Sequence, residues 1–210
     1  MRIFIAVDVS TGALAKLQNE IMSVAGWNPK DIKPVEPQNF HFTLIFLGEK
    51  NDSDIDNVKA KLAQVQFKPF TIIYTGVGAF PKPSSARVVW VGVDQIGGEK
   101  LTALADDVVA KMTELGFSAD KPFSPHMTIL RARRRPVKIG DVPAKYQDRK
   151  FGSDVVDKVH LKKSDLTAAG PVYSNIYTVE ARNERSCPAS APWSQKYSLC
   201  ASLRLAKRRV

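Results

Sequence analysis

Cysteine is scarce and late in this chain: Cys187 and Cys200 are the only two, both within the final 30 of 210 residues. A disulfide scaffold needs more cysteines spread through its core, and a structural zinc site needs clustered ligands, so neither organises this fold. No apolar run reaches membrane-spanning length. The opening MRIFIAVDVS has one arginine and a short apolar run that meets Asp8. It lacks the apolar length and cleavage site of a signal peptide, so it is read as a first strand, with the cytoplasm as the expected location. Neither a P-loop nor a G-x-G-x-x-G occurs, which leaves ATP or dinucleotide binding without a basis. A G-x-S-x-G nucleophile turn is missing as well. So are H-E-x-x-H and C-x-x-C, so no metal and no cofactor is expected, although distant ligands can converge.

Acidic residues are also in deficit, 21 against 31 Lys/Arg, for a net charge of +10. Such an excess ordinarily points to a polyanion. Its distribution weakens that inference. Residues 181–210 hold seven Lys/Arg and one Glu, a net of +6, which leaves +4 for residues 1–180. A hydrophobic content of 44% with 25% charged residues is that of a soluble globular protein. The length suits one domain or two small lobes.

RIFIAVDV reads as a strand, followed by a helix that Ser10 or Thr11 can cap and that turns Leu14, Leu17, Ile21 and Val24 to one side. NFHFTLIFLGE is the next strand, and DSDIDNVKAKLAQV a helix with acidic residues near its start. FTIIYTGVGAF and ARVVWVGV are strands around the turn PKPSS, and a helix is expected over roughly 97–116. PHMTILRAR is a strand, DVVDKVHLKKSDL contains another, and PVYSNIYTVE is the last. Hairpin-like strand pairs mixed with helices argue for an α+β fold rather than a parallel α/β sheet.

Histidine is rare and informative. Of three, two open the same phrase: His41-Phe42-Thr43-Leu44 and, 85 residues on, His126-Met127-Thr128-Ile129. Strand side chains alternate, so His41 and Thr43 share one face while Phe42 and Leu44 enter a core; the same holds around His126 and Thr128. A single such match is commonly a hydrogen-bonded structural pair. The repetition favours function and suggests a duplicated lobe facing its copy across a groove. His160, in KVHLKK, lacks the phrase and is read as structural or surface. Two imidazoles suit general acid–base chemistry near neutral pH. In-line hydrolysis of a phosphodiester needs a base at the incoming water and an acid at the departing oxygen. One His from each lobe provides both, and the Thr hydroxyls can hold the non-bridging oxygens.

Further phrases match in order over residues 1–180: RIFIAVD, FHFTLIFLGE, GVGAFPKPSSARVVWVGV, FSPHMTILRAR and LKKSDLTAAGPVYSNI. The chain resembles the RNA 2′,3′-cyclic phosphodiesterases, also called 2′-5′ RNA ligases, of the two-histidine phosphoesterase superfamily. The resemblance implies a bilobal α+β fold, each lobe a mainly antiparallel sheet flanked by helices, with the two motifs facing across a catalytic cleft. It implies hydrolysis of RNA ending in a 2′,3′-cyclic phosphate to a 2′-phosphate without metal or cofactor, and a weaker 2′-5′ ligation. His41 would be the proton donor and His126 the proton acceptor, with Thr43 and Thr128 on phosphate oxygens. The expected partner is such an RNA, with no membrane and no obligate protein partner, and the expected state a monomer.

Arg131 suits phosphate. Strict alternation, however, sends Arg131 and Arg133 away from Thr128, and Leu130 and Ala132 towards it, unless the strand ends or bulges. Tyr173, Phe80 and Trp90 are candidates for stacking on bases. Residues 181–210 match nothing in the family pattern and read as a disordered or non-family tail. Two other functions use the same cleft: a small cyclic nucleotide as substrate, or RNA-end binding without turnover.

Overall fold

The computed structural model describes residues 1–182 apart from 11, 26, 29 and 169. The expected cap at Thr11, both cysteines and nearly all of the C-terminal tail therefore lie outside the described residues. Two antiparallel sheets carry the fold. The first has the order β3-β1-β8-β9, built from β1 (Arg2–Asp8), β3 (His41–Glu49), β8 (Lys158–Thr167) and β9 (Gly170–Glu180). The second has the order β2-β6-β5-β4-β7, built from β2 (Ile32–Pro34), β6 (Met127–Ala132), β5 (Ser85–Val93), β4 (Phe70–Lys82) and β7 (Lys150–Val156). Helices α1 (Gly12–Ala25), α2 (Asp52–Leu62), α3 (Gln95–Thr113) and the one-turn α4 (Val142–Lys145) flank them.

The expected α+β class is what the chain adopts, but each sheet draws strands from both halves of the sequence. β8 pairs with the N-terminal β1 and carries β9 on its other side, and β6 pairs with β5 and β2. The lobes are therefore interleaved rather than consecutive. The first motif strand lies at an edge of its sheet, and the second has only the three-residue β2 outside it. β3 and β6 touch across the space between the sheets.

Local chemistry accounts for the boundaries. Asn51 caps α2 by accepting the Asp54 N–H at 2.9 Å, with Asp52 and Asp54 in the first turn, where the helix dipole favours them. Asp94 caps α3 by accepting from Gly97 at 3.2 Å, so this helix starts two residues before the expected 97. It ends at Thr113, ahead of Gly116 at φ +83°. Leu14, Leu17 and Ile21 of α1 are buried as expected, whereas Val24 near its end is 48% exposed. DVVDKVHLKKSDL holds parts of two strands: β7 ends at Val156 and β8 begins at Lys158, in different sheets. Among the described residues no helix is long and apolar enough to cross a membrane.

Candidate active site

His41 is the first residue of β3 and His126 immediately precedes β6, so each imidazole sits where a strand begins. Their anchoring is the same. Nδ1 of His41 lies 2.7 Å from the carbonyl of Asn39, and Nδ1 of His126 lies 2.7 Å from that of Ser124. A carbonyl only accepts, so Nδ1 carries a hydrogen in both rings, and a neutral ring keeps its lone pair on Nε2. Each ring is also wedged between two aromatics. His41 lies 5.1 Å from Phe4 and meets Tyr173 edge-on at 5.3 Å; His126 meets Phe80 edge-on at 5.0 Å with Trp90 at 6.4 Å. The indole can lie there because residue 78 is glycine: a Cβ at that position would fall 2.2 Å from the Trp90 ring.

Both histidines line one cleft of about 420 Å³, together with Thr43, Thr128 and Arg131. Its size suits a small ligand or the end of a longer one. Arg131 arrives there against strict alternation. In the β5–β6 ladder Trp90 pairs with Thr128 and Val89 with Leu130, so Ile129 is an extra residue, a β-bulge. Ile129 and Leu130 are both buried, and the phase change turns Arg131 to the side of Thr128 and the cleft. Leu130 is thereby removed from the face that strict alternation gave it. The first motif bulges at the same place: Ile5 pairs with Ile45 and Ala6 with Thr43, leaving Leu44 extra. In each motif the aliphatic fourth residue is thus the bulge. The residue five beyond the histidine then enters the cleft, Phe46 from one strand and Arg131 from the other. Phe46, 70% exposed, was not expected at the site, although its matching offset from the histidine is visible in the sequence.

The second bulge is held from α1. Gln18, 4% exposed, donates from Nε2 to the Ile129 carbonyl at 2.6 Å and to the Val35 carbonyl at 2.8 Å. Val35 N–H also donates to Ile129 at 2.9 Å, tying β2 to the bulge. Gln18→Leu keeps the volume but removes two hydrogen bonds, the one to Ile129 buried and the one to Val35 part-buried. It is expected to cost about 1–3 kcal/mol in urea unfolding; an unchanged midpoint contradicts this role for the clamp.

Of the three stacking candidates, Tyr173 lines the cleft, whereas Phe80 and Trp90 do not and instead brace His126. The β8–β9 hairpin closes one side: Asn39 Nδ2 donates to the Pro171 carbonyl at 3.1 Å, and Lys33 Nζ would lie 2.8 Å from a Cβ on Gly170. Arg133 bonds from Nε to the Ile32 carbonyl at 3.3 Å and lies outside the cleft lining. His160 is buried, 2.9 Å from the Thr178 hydroxyl, in keeping with a structural residue. Among the described residues no three His, Cys, Asp or Glu side chains gather as a metal-binding group.

Burial pushes the His41 pKa down to about 4, against the opposing pull of the Asn39 carbonyl. The Lys162 ammonium also lowers it, the Asp8 carboxylate raises it, and Arg131 lowers it further. A ring held that low is neutral at pH 7. An anion bound against Nε2 favours the charged form and draws a proton onto it.

The chain is similar in sequence and fold to several known proteins. The model of the LigT-like phosphoesterase family matches residues 6–90 and again 91–173, one motif in each match. A protein of Archaeoglobus fulgidus named RNA 2′,3′-cyclic phosphodiesterase is 41% identical over 180 residues, covering 86% of this chain and all of its own. One of the same name from Aeropyrum pernix is 38% identical over 174 residues, covering 81% of this chain and 96% of its own. A solved structure from Thermus thermophilus superposes with a TM-score of 0.67 at 27% identity, covering 88% of this chain and all of that one.

Proposed function

The chain belongs to the LigT-like phosphoesterase family, and on that premise we propose that it hydrolyses RNA ending in a 2′,3′-cyclic phosphate to a 2′-phosphate. The observation that carries the reading is the pair of identically anchored imidazoles lining one cleft. Water attacks phosphorus opposite O3′ and gives its proton to Nε2 of His126. The P–O3′ bond breaks, and His41, protonated through contact with the phosphate anion, passes its proton from Nε2 to O3′. Thr43, Thr128 and Arg131 hold the non-bridging oxygens, where charge develops. Both proton transfers are made by imidazoles, so the route needs no metal or cofactor. When the 5′-hydroxyl of a second RNA replaces water, the same steps leave a 2′-5′ linkage.

The reading extends to a cytoplasmic monomer without an obligate protein partner. It places the activity within residues 1–180, since the family match ends at residue 173 and 180 aligned residues span the whole Archaeoglobus relative. Truncation after Glu180 is expected to keep kcat within about two-fold, because no proton-transfer or phosphate-holding residue is removed; a large loss assigns residues 181–210 a part in turnover. The function itself is tested by incubating the protein, in EDTA, with an RNA that carries a 2′,3′-cyclic phosphate. A 2′-phosphate product is expected. Turnover of cyclic mononucleotides alone, or binding with no product, contradicts the reading.

A further inference from the structure

A charge pair lies beside His41 that the two proton transfers leave unused: the ammonium of Lys162 is buried, and the Asp8 side chain that it meets is 38% exposed. Ile3, Ile5 and Val7 of β1 and Val159 and Leu161 of β8 enter the core. Alternation therefore puts Asp8, His160 and Lys162 on the opposite face, and Asp8 is paired with His41 across β1–β3. Lys162 is 5% exposed, and its Nζ donates to both Asp8 oxygens at 2.7 Å and to Asn175 Oδ1 at 2.6 Å. Asn175 Nδ2 donates back to Asp8 Oδ2 at 3.4 Å, and His160 Nε2 lies 3.7 Å from the same oxygen. Neither Asp8 nor Lys162 lines the cleft, so neither meets the reacting atoms.

Stability alone does not call for this pair. Burying the Lys162 ammonium carries a desolvation cost that its attraction to a part-exposed carboxylate must offset, and an apolar side chain of similar volume usually serves a fold as well. What the pair supplies is fixed charge of both signs next to a half-buried imidazole, with the ammonium on the side that water screens least. The ammonium disfavours an imidazolium and the carboxylate favours it. A proton donor needs both restraints. A ring that binds its proton too firmly does not release it to the departing oxygen, and one that binds it too weakly is never charged.

We propose that Asp8 and Lys162 form a positioning pair for His41, whose opposed charges set how firmly its imidazole holds the proton delivered to O3′. The proposal rests on His41 being the proton donor. Arg131 faces His41 from β6 and acts in the same direction as Lys162; His126, His160 and Tyr173 are the other titratable groups around it, with Lys33 and Glu36 on the cleft wall. None of these is substituted in the test, and the His160 ring, which Asp8 and Lys162 also bias, is followed beside that of His41.

The test is an NMR titration of the His41 ring in the full chain, its signal assigned by loss in His41→Ala, alongside the pH profile of kcat/KM. Lys162→Met is expected to raise the His41 midpoint and Asp8→Asn to lower it, each by about one pH unit. The double variant returns near the starting value, and Lys162→Arg leaves it in place. Should Lys162→Met fail to fold, the near-isosteric Asp8→Asn decides the sign by itself. Midpoints that stay fixed, or that move the same way in both single variants, overturn the proposal. If the midpoints move as expected while the pH–rate limb does not follow, the pair stands and the assignment of His41 as proton donor fails.

Discussion

His41→Ala and His126→Ala are each expected to lower kcat by about 10²- to 10⁴-fold, the usual worth of one positioned proton-transfer group. Neither change should unfold the protein. Each ring is held by one backbone carbonyl and two aromatic neighbours at the mouth of a strand, and the apolar core lies on the other face. The double variant should be little worse than either single one, because the two rings act on one displacement and lose their value together. Strictly additive losses would mean that the imidazoles serve separate steps. Steady-state rates on a cyclic-phosphate RNA, with far-UV circular dichroism to verify folding, give the answer.

Arg131→Ala is expected to lower kcat by about 10²-fold, as removal of one donor to a developing oxyanion does. Arg131→Lys should recover only part of this, since an ammonium restores the charge but not the planar fork that spans two phosphate oxygens. A change confined to KM would place Arg131 on the body of the RNA rather than on the reacting phosphate. Arg133, two residues on and outside the cleft lining, is the internal control.

The placement of Arg131 shows where the sequence is legible and where it is not. The alternation of Phe42 and Met127 with His41, Thr43, His126 and Thr128 was readable, because a period of two is a property of any strand. The bulges at Leu44 and Ile129 were not; at Ile129 the carbonyl is received by the Gln18 amide, from a helix 111 residues away, which no local pattern announces. The same limit hid the Asp8–Lys162 pair, whose members are 154 residues apart. Phe80 and Trp90 read as candidates for stacking on bases because aromatic content on a strand is visible; their actual neighbour, His126, is set by strand order. β2 went unread since three residues that include a proline carry no period of their own. The interleaving of the sheets was equally invisible, because hydrophobic pattern states that a strand has a buried face and not which strand lies next to it.

The central claim is that two imidazoles from different sheets bracket one phosphorus atom. Crystals of the protein with a dinucleotide that ends in a 2′-phosphate test it most directly. The account predicts Nε2 of His41 near the 3′-hydroxyl and Nε2 of His126 near an oxygen on the opposite side of the same phosphate, with Thr43, Thr128 and Arg131 on the remaining oxygens. A phosphate held by one histidine alone, with the other ring turned away, would contradict it.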